Sequence, residues 1–189
     1  MNRRAGFLAA LMAAAILMVA LRPVPKLVAD GQGNQPSGFR IASAAFRSGS
    51  LIPGKYTCSG ANVSPALAWG GPPAGTKSFV LIVVDPDAPG GTWTHWIVYN
   101  LPAQAQRLRE GVPKTGQIEG GAMQGTSSFQ EIGYGGPCPP PGRPHHYHFK
   151  LYALNARLNL RSGATRGEVE RSMKGHVLAE TELIGLYRR

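Results

Sequence analysis

Six consecutive apolar residues, Phe79–Val84, constrain this chain more than any other stretch. After Phe79 the run is wholly aliphatic and mostly β-branched, with no polar alternation. A strand of that composition has no solvent face, so the fold must cover it on both sides. A second run, Trp96–Leu101, is aromatic and β-branched and halts at Pro102, which has no N–H to donate. Between the two lie Asp85, Asp87 and His95, with Pro86 and Pro89 fixing φ around the acids. Polar groups at the mouths of buried strands are where sites are usually built.

The chain on either side is punctuated by 25 glycines and 16 prolines, which split it into short apolar segments joined by turns. In 189 residues that predicts one β-rich domain with a single core. Phe39–Phe46 reads as a first strand and Leu67–Trp69 as another. Arg107–Gln124, broken by several glycines, reads as a long surface excursion. In Pro144–Leu154, strand alternation puts His145, Tyr147, Phe149 and Leu151 on one face and His146, His148, Lys150 and Tyr152 on the other. Thr165 and Glu168 have capping-box spacing, and Val169, Met173 and Val177 recur on one helical face. A helix is therefore predicted over Arg166 to about Leu178, with Glu170 and Lys174 paired on its outer side. Thr181–Tyr187 is expected to return as a last strand.

The first 29 residues have a different character. Met1-Asn-Arg-Arg4 precedes Ala5–Leu21, which carries no charged or polar side chain. A basic start followed by an apolar run is an export signal, and this run is also just long enough for an uncleaved anchor. Residues 30–38 read as a linker and 39–189 as the domain, placed in the periplasm or outside the cell, free or tethered by that segment. Setting aside Arg3, Arg4, Arg22 and Lys26 takes the formal charge from +10 to +6. The basic residues that remain are scattered and lack interleaved aromatics, so no nucleic-acid role is expected. Membrane contact is expected only through the N-terminal segment.

Cys58 and Cys138 both lie in Gly/Pro/Ser-rich loops. In an exported chain such a pair suggests one disulfide. Two free thiols, or a metal pair with histidine, are the other readings that spacing leaves open.

Two loops are complementary in chemistry. One carries Asp85, Asp87 and His95; the other carries Gly136 and Pro137, followed by His145 and Tyr147. Imidazole and phenol groups donate hydrogen bonds, and glycine lets backbone N–H groups approach a ligand. Carboxylates beside the histidines would orient them and raise their pKa. That set suits a small anion such as phosphate or a carboxylate. His145-His-Tyr-His148 resembles a metal-ligand cluster, but histidines at i, i+1 and i, i+3 on a strand point to opposite faces. No HExxH spacing occurs, so neither a metal nor another cofactor is expected. No GxSxG motif accompanies the acids. The chain is therefore not expected to be an enzyme, the alternative being a hydrolase or lyase using an Asp/His pair.

The motifs Asp85-Pro-Asp-Ala-Pro89, His95-Trp-Ile-Val-Tyr-Asn100, Gly135-Gly-Pro-Cys-Pro-Pro140 and His145-His-Tyr147 occur here in an order and spacing that resemble the phosphatidylethanolamine-binding protein family. The chain is most similar to its bacterial Raf-kinase-inhibitor-like branch. Tyr56-Thr-Cys-Ser-Gly-Ala-Asn-Val-Ser-Pro65 and Met173-Lys-Gly-His176 add to the likeness, which covers Phe39–Tyr187. The resemblance implies a mainly β fold, two antiparallel sheets with a small helix near the C-terminus. It also implies one shallow pocket for phosphate, acetate or a phosphoryl head group, formed by Asp85, Asp87, His95, Gly136, Pro137, His145 and Tyr147. Members of the family act mostly as binders and modulators of kinases, proteases and signalling partners. For an exported chain this points to an envelope protein as partner, with a homodimer as a further expectation, and not to a cytoplasmic kinase. The Pro89–His95 connection is shorter than in eukaryotic members and lacks their tyrosine, so their head-group preference does not carry over.

Overall fold

The computed structural model describes residues 38–189; the expected export segment and all but Gly38 of the expected linker lie outside the described residues. In chain order the strands are β1 (Arg40–Ser43), β2 (Ser50–Leu51), β3 (Leu67–Gly70), β4 (Ser78–Asp85), β5 (Trp93–Pro102), β6 (Arg107–Leu108), β7 (Met123–Gln124), β8 (His145–Leu154) and β9 (Val177–Tyr187). One helix, α1 (Arg166–Met173), precedes the last strand.

Two sheets result: a small one in the order β1-β3-β6, and a six-stranded one in the order β2-β9-β8-β4-β5-β7. Pairing is antiparallel apart from the short edge contact of β2 with β9, which is parallel. As the sequence requires, β4 is central and every one of its residues is buried. Phe79, Leu81 and Val83 enter one cluster with Leu67 and Trp69 of the small sheet and with Tyr147 and Phe149 of β8. Val80, Ile82 and Val84 enter a second cluster with Ile97, Tyr99 and the helix residues Val169 and Met173. Burying each such side chain stabilises by about 1.5 to 3 kcal/mol. The small sheet thus covers one face of β4 and α1 helps cover the other. The alternation expected for β8 holds, with His145, Tyr147, Phe149 and Leu151 inward.

Three local expectations are corrected. The helix begins where expected, with both halves of the Thr165/Glu168 capping box formed, but it ends at Met173. Gly175 adopts φ +83° and turns the chain away; Val177 opens β9 and is exposed. Glu170 pairs with Arg166, one turn earlier, and not with Lys174. β1 is shorter than Phe39–Phe46 because the Ser43 hydroxyl accepts the Ala45 N–H and starts a turn. The 107–124 excursion also carries two short strands. Its last residue, Gln124, is buried, accepts the Trp96 indole N–H at 2.7 Å and donates to the Pro113 and Thr115 carbonyls.

Candidate functional site

Strand order brings four of the sequence-predicted residues together: Asp85, His95, His145 and Tyr147. β4 lies between β5 and β8, so Asp85 at its end has His95 on one side and His145 and Tyr147 on the other. Asp85 uses both carboxylate oxygens. Oδ1 accepts the Asp87 N–H at 2.8 Å, closing the Asx turn that the flanking prolines favour. Oδ2 lies 2.8 Å from His145 Nδ1. A carboxylate only accepts, so the proton of this bond is on His145 Nδ1.

His95 is aimed by a β-bulge. Val83 pairs with Trp96 and Val84 with Thr94, which leaves His95 as the extra residue. Its ring lies on Tyr147, with centroids 5.2 Å apart and nearly perpendicular. Its Nδ1 donates to the Gly135 carbonyl at 2.7 Å. His95 is therefore oriented by a backbone carbonyl and not by an acid. Burial is the dominant influence and holds its pKa below the usual imidazole value. The bond to Gly135 and the Asp85 charge oppose that shift without overcoming it. The expected rise in histidine pKa is thus reversed at His95.

Tyr147 is fully buried, and its hydroxyl makes no hydrogen bond of normal geometry; the Asp85 carboxylate is the protein acceptor that acts on it. Burial first, then the Asp85 charge, pushes its pKa upward, so it is a neutral donor at physiological pH. His95 and His145 are 3 % and 5 % exposed. Both commit Nδ1 to the protein, and the Gly136 backbone also acts on the His95 ring.

The second loop is placed differently from expectation. The Gly135 N–H donates to the His95 carbonyl and the Gly136 N–H donates to Asn62 Oδ1. Neither amide is left for a ligand. These positions need glycine for close packing. A Cβ at Gly135 would lie 2.5 Å from the Phe129 ring, and one at Gly136 would lie 2.4 Å from the Tyr56 carbonyl oxygen. The Pro137 carbonyl accepts the Cys58 N–H at 3.1 Å. Cys58 and Cys138 form a disulfide with Cα atoms 5.4 Å apart, which ties the 56–60 turn to this loop.

Asp87 faces outward. One oxygen accepts both the backbone N–H and the Nδ1–H of His146, at 2.9 and 2.8 Å. The other lies 3.7 Å from Arg143. The His146 bond is the main cause holding the Asp87 pKa below the carboxylate range. Asp87 therefore staples the first loop to the start of β8, and no hydrogen bond joins it to His95 or His145.

Sequence reasoning missed several supporting residues. Phe129 packs edge-on against His95 at 5.4 Å and against Trp93 at the same separation. Asn62 adopts φ +53° to present its side chain to Gly136. Tyr134 donates to the Tyr56 carbonyl at 2.7 Å. An asparagine between small residues is a turn signal, whereas the two aromatic contacts join segments far apart in sequence and leave no local trace. Two wider clefts, of about 890 and 420 Å³, lie elsewhere: one along Leu101–Gly120, the other between Ala66–Ala68 and Arg107–Glu110. Neither is lined by Asp85, His95, His145 or Tyr147.

The family model described as Phosphatidylethanolamine-binding protein matches residues 42–188. The chain belongs to the phosphatidylethanolamine-binding protein family. Among relatives of this family member, a UPF0098 protein of Methanothermobacter thermautotrophicus is 49% identical over 151 residues, which is 80% of this chain and 99% of that protein. Two solved structures of the family share the fold. CT736 of Chlamydia trachomatis, described as a putative phosphatidylethanolamine-binding protein homolog, has a TM-score of 0.74 and 42% identity, covering 81% of this chain and 99% of that one. YbcL of E. coli, described as a new member of the mammalian family, has a TM-score of 0.75 and 36% identity, covering 80% and 98%. Among the described residues no helix is long and apolar enough to cross a membrane.

Proposed function

We propose that the site binds a small oxyanion: phosphate, a carboxylate or a phosphoryl head group. The observation that carries this reading is the Tyr147 hydroxyl, fully buried with no hydrogen bond of normal geometry and the Asp85 carboxylate acting on it, beside two buried histidines held through Nδ1. A buried hydroxyl left unsatisfied costs about 1 to 3 kcal/mol, and a ligand oxygen restores the missing bond. Gly136 and Pro137 shape the site by holding the Gly135 carbonyl on His95, and Asp87 shapes it by anchoring the start of β8. With Nδ1–H engaged, each Nε2 accepts a proton from a protonated oxyanion, or donates once its ring is charged. Anion binding therefore takes up protons.

In this reading the protein is exported by its N-terminal segment, and a solvent-exposed disulfide fits an oxidising compartment. The bound anion belongs to, or regulates contact with, an envelope protein such as a protease or kinase. Calorimetric titration with inorganic phosphate and with phosphoethanolamine tests the assignment. One saturable site is expected, lost in His95→Ala and His145→Ala; unchanged binding in both variants overturns it.

The 2.8 Å Asp85–His145 pair favours one second reading, proton transfer by His145 in a hydrolase or lyase. Turnover of a substrate panel that is lost in Asp85→Asn would promote it over simple binding.

A further inference from the structure

The outward face of β8 carries a feature that the anion site does not use. His146 and His148 are two residues apart on one strand, so both point away from the core, 53% and 22% exposed in their side chains. Their ring centroids are 6.5 Å apart. Each ring presents Nδ1 to a carboxylate from a neighbouring element: His146 to Asp87 Oδ2 and His148 to Glu182 Oε1, both at 2.8 Å. A carboxylate accepts, so both Nδ1 atoms carry the proton in the neutral rings, and the lone pair of each ring is on Nε2. Among the described residues neither Nε2 has a hydrogen-bond partner.

This is the arrangement that prepares imidazole to ligate a metal. A carboxylate on the far nitrogen fixes the tautomer and the ring direction and makes the ligating nitrogen more basic. We propose that His146 and His148 form a two-imidazole chelate for a borderline divalent cation such as Zn²⁺, with Asp87 and Glu182 as the orienting carboxylates. Among the described residues no three His, Cys, Asp or Glu side chains converge to enclose an ion, so water completes the coordination shell. A metal about 2.1 Å from each Nε2 sets the ring centres about 5 Å apart at a tetrahedral angle. Binding therefore requires the rings to close by about 1 Å and the exposed His146 ring to turn its Nε2 towards that of His148. Two cations flank the carboxylates, Arg143 at 3.7 Å from Asp87 and Lys150 at 3.8 Å from Glu182. They partly offset the acids and favour an imidazole-binding metal over Ca²⁺ or Mg²⁺, which need carboxylate oxygens in the first shell.

The test uses the full chain without an affinity tag, stripped of metal and titrated with Zn²⁺. Imidazole ¹⁵N spectra should first show Nε2 as the unprotonated nitrogen of both rings. One Zn²⁺ should then bind per chain and shift those two Nε2 signals. His146→Gln and His148→Gln should each weaken binding at least tenfold, and Glu182→Gln about tenfold. His148→Gln should leave phosphate binding unchanged, which separates this site from the anion pocket. Absence of Zn²⁺ binding, binding indifferent to both histidine variants, or shifts confined to His95 and His145 would each overturn the proposal.

Discussion

His145 Nδ1 lies 2.8 Å from Asp85 Oδ2, a buried bond between residues sixty apart in sequence that locks the end of β4 to the start of β8. Both side chains are almost fully enclosed, so removing one partner leaves the other polar group buried and unpaired. Asp85→Ala should therefore lower unfolding stability by about 3 kcal/mol. It should also weaken phosphate binding, because the His145 ring loses its tautomer and direction. Urea denaturation and phosphate calorimetry on the same variant check both effects.

Tyr147→Phe separates stability from binding. It removes a buried hydroxyl that forms no hydrogen bond of normal geometry and keeps the ring that packs on His95. The ligand-free protein should be as stable as wild type or more so, by up to about 1 kcal/mol. Phosphate affinity should fall. Thermal melts with and without phosphate check this: the variant should melt no lower than wild type alone, but gain less from the ligand.

The depressed pKa of His95 sets two pH trends. An unfolded chain binds a proton at His95 near pH 6.5, while the folded chain resists it. The stability this group contributes is complete above about pH 6.5 and is lost as pH falls towards the folded value. Phosphate binding runs the other way, strengthening as pH falls, because the bound anion favours the charged ring. His95→Gln should flatten both trends, as followed by denaturant midpoints and by calorimetry as pH is lowered.

Asn100 is a control remote from the anion site. It adopts φ +59° at the second irregularity of β5, and its side chain makes two buried bonds to the Leu158 backbone, at 2.9 and 2.7 Å. Asn100→Ala leaves those backbone groups unpaired and should cost about 2 to 3 kcal/mol. Phosphate affinity of the folded fraction should be unchanged.

The Cys58–Cys138 bridge closes a loop with a sequence separation of 80. On the chain-entropy account it contributes about 4 kcal/mol. It also tethers the loop whose Gly135 carbonyl holds His95. Replacing both cysteines with serine should lower stability by that order and weaken phosphate binding more than Asn100→Ala does, measured by urea denaturation and calorimetry.

Much of this architecture is legible in residue pattern because burial writes itself into alternation. Phe79–Val84 has no polar position, and it occupies the centre of the larger sheet. His145 and Tyr147 are in phase with Phe149 and Leu151, and they face inward. Local chemistry was equally readable at the Thr165/Glu168 cap. Contacts between segments distant in sequence leave no such local trace. The bulge at His95 shows only as a register shift between two strands. The Gly135 and Gly136 amides point to partners forty or more residues away. Val177 kept helical spacing, but Gly175 with its positive φ ended the helix first. The pattern reads both acids as orienting His95 and His145; in the fold Asp85 turns inward to His145 and Asp87 outward to His146.

The most direct test of the anion-site account is an imidazole ¹⁵N titration with inorganic phosphate at pH 6.5. The account predicts saturable shifts at Nε2 of both His95 and His145, one phosphate per chain, and loss of both shifts in Tyr147→Phe at the same phosphate concentration. No shift at either ring, or shifts only at His146, His148 and His176, would contradict it.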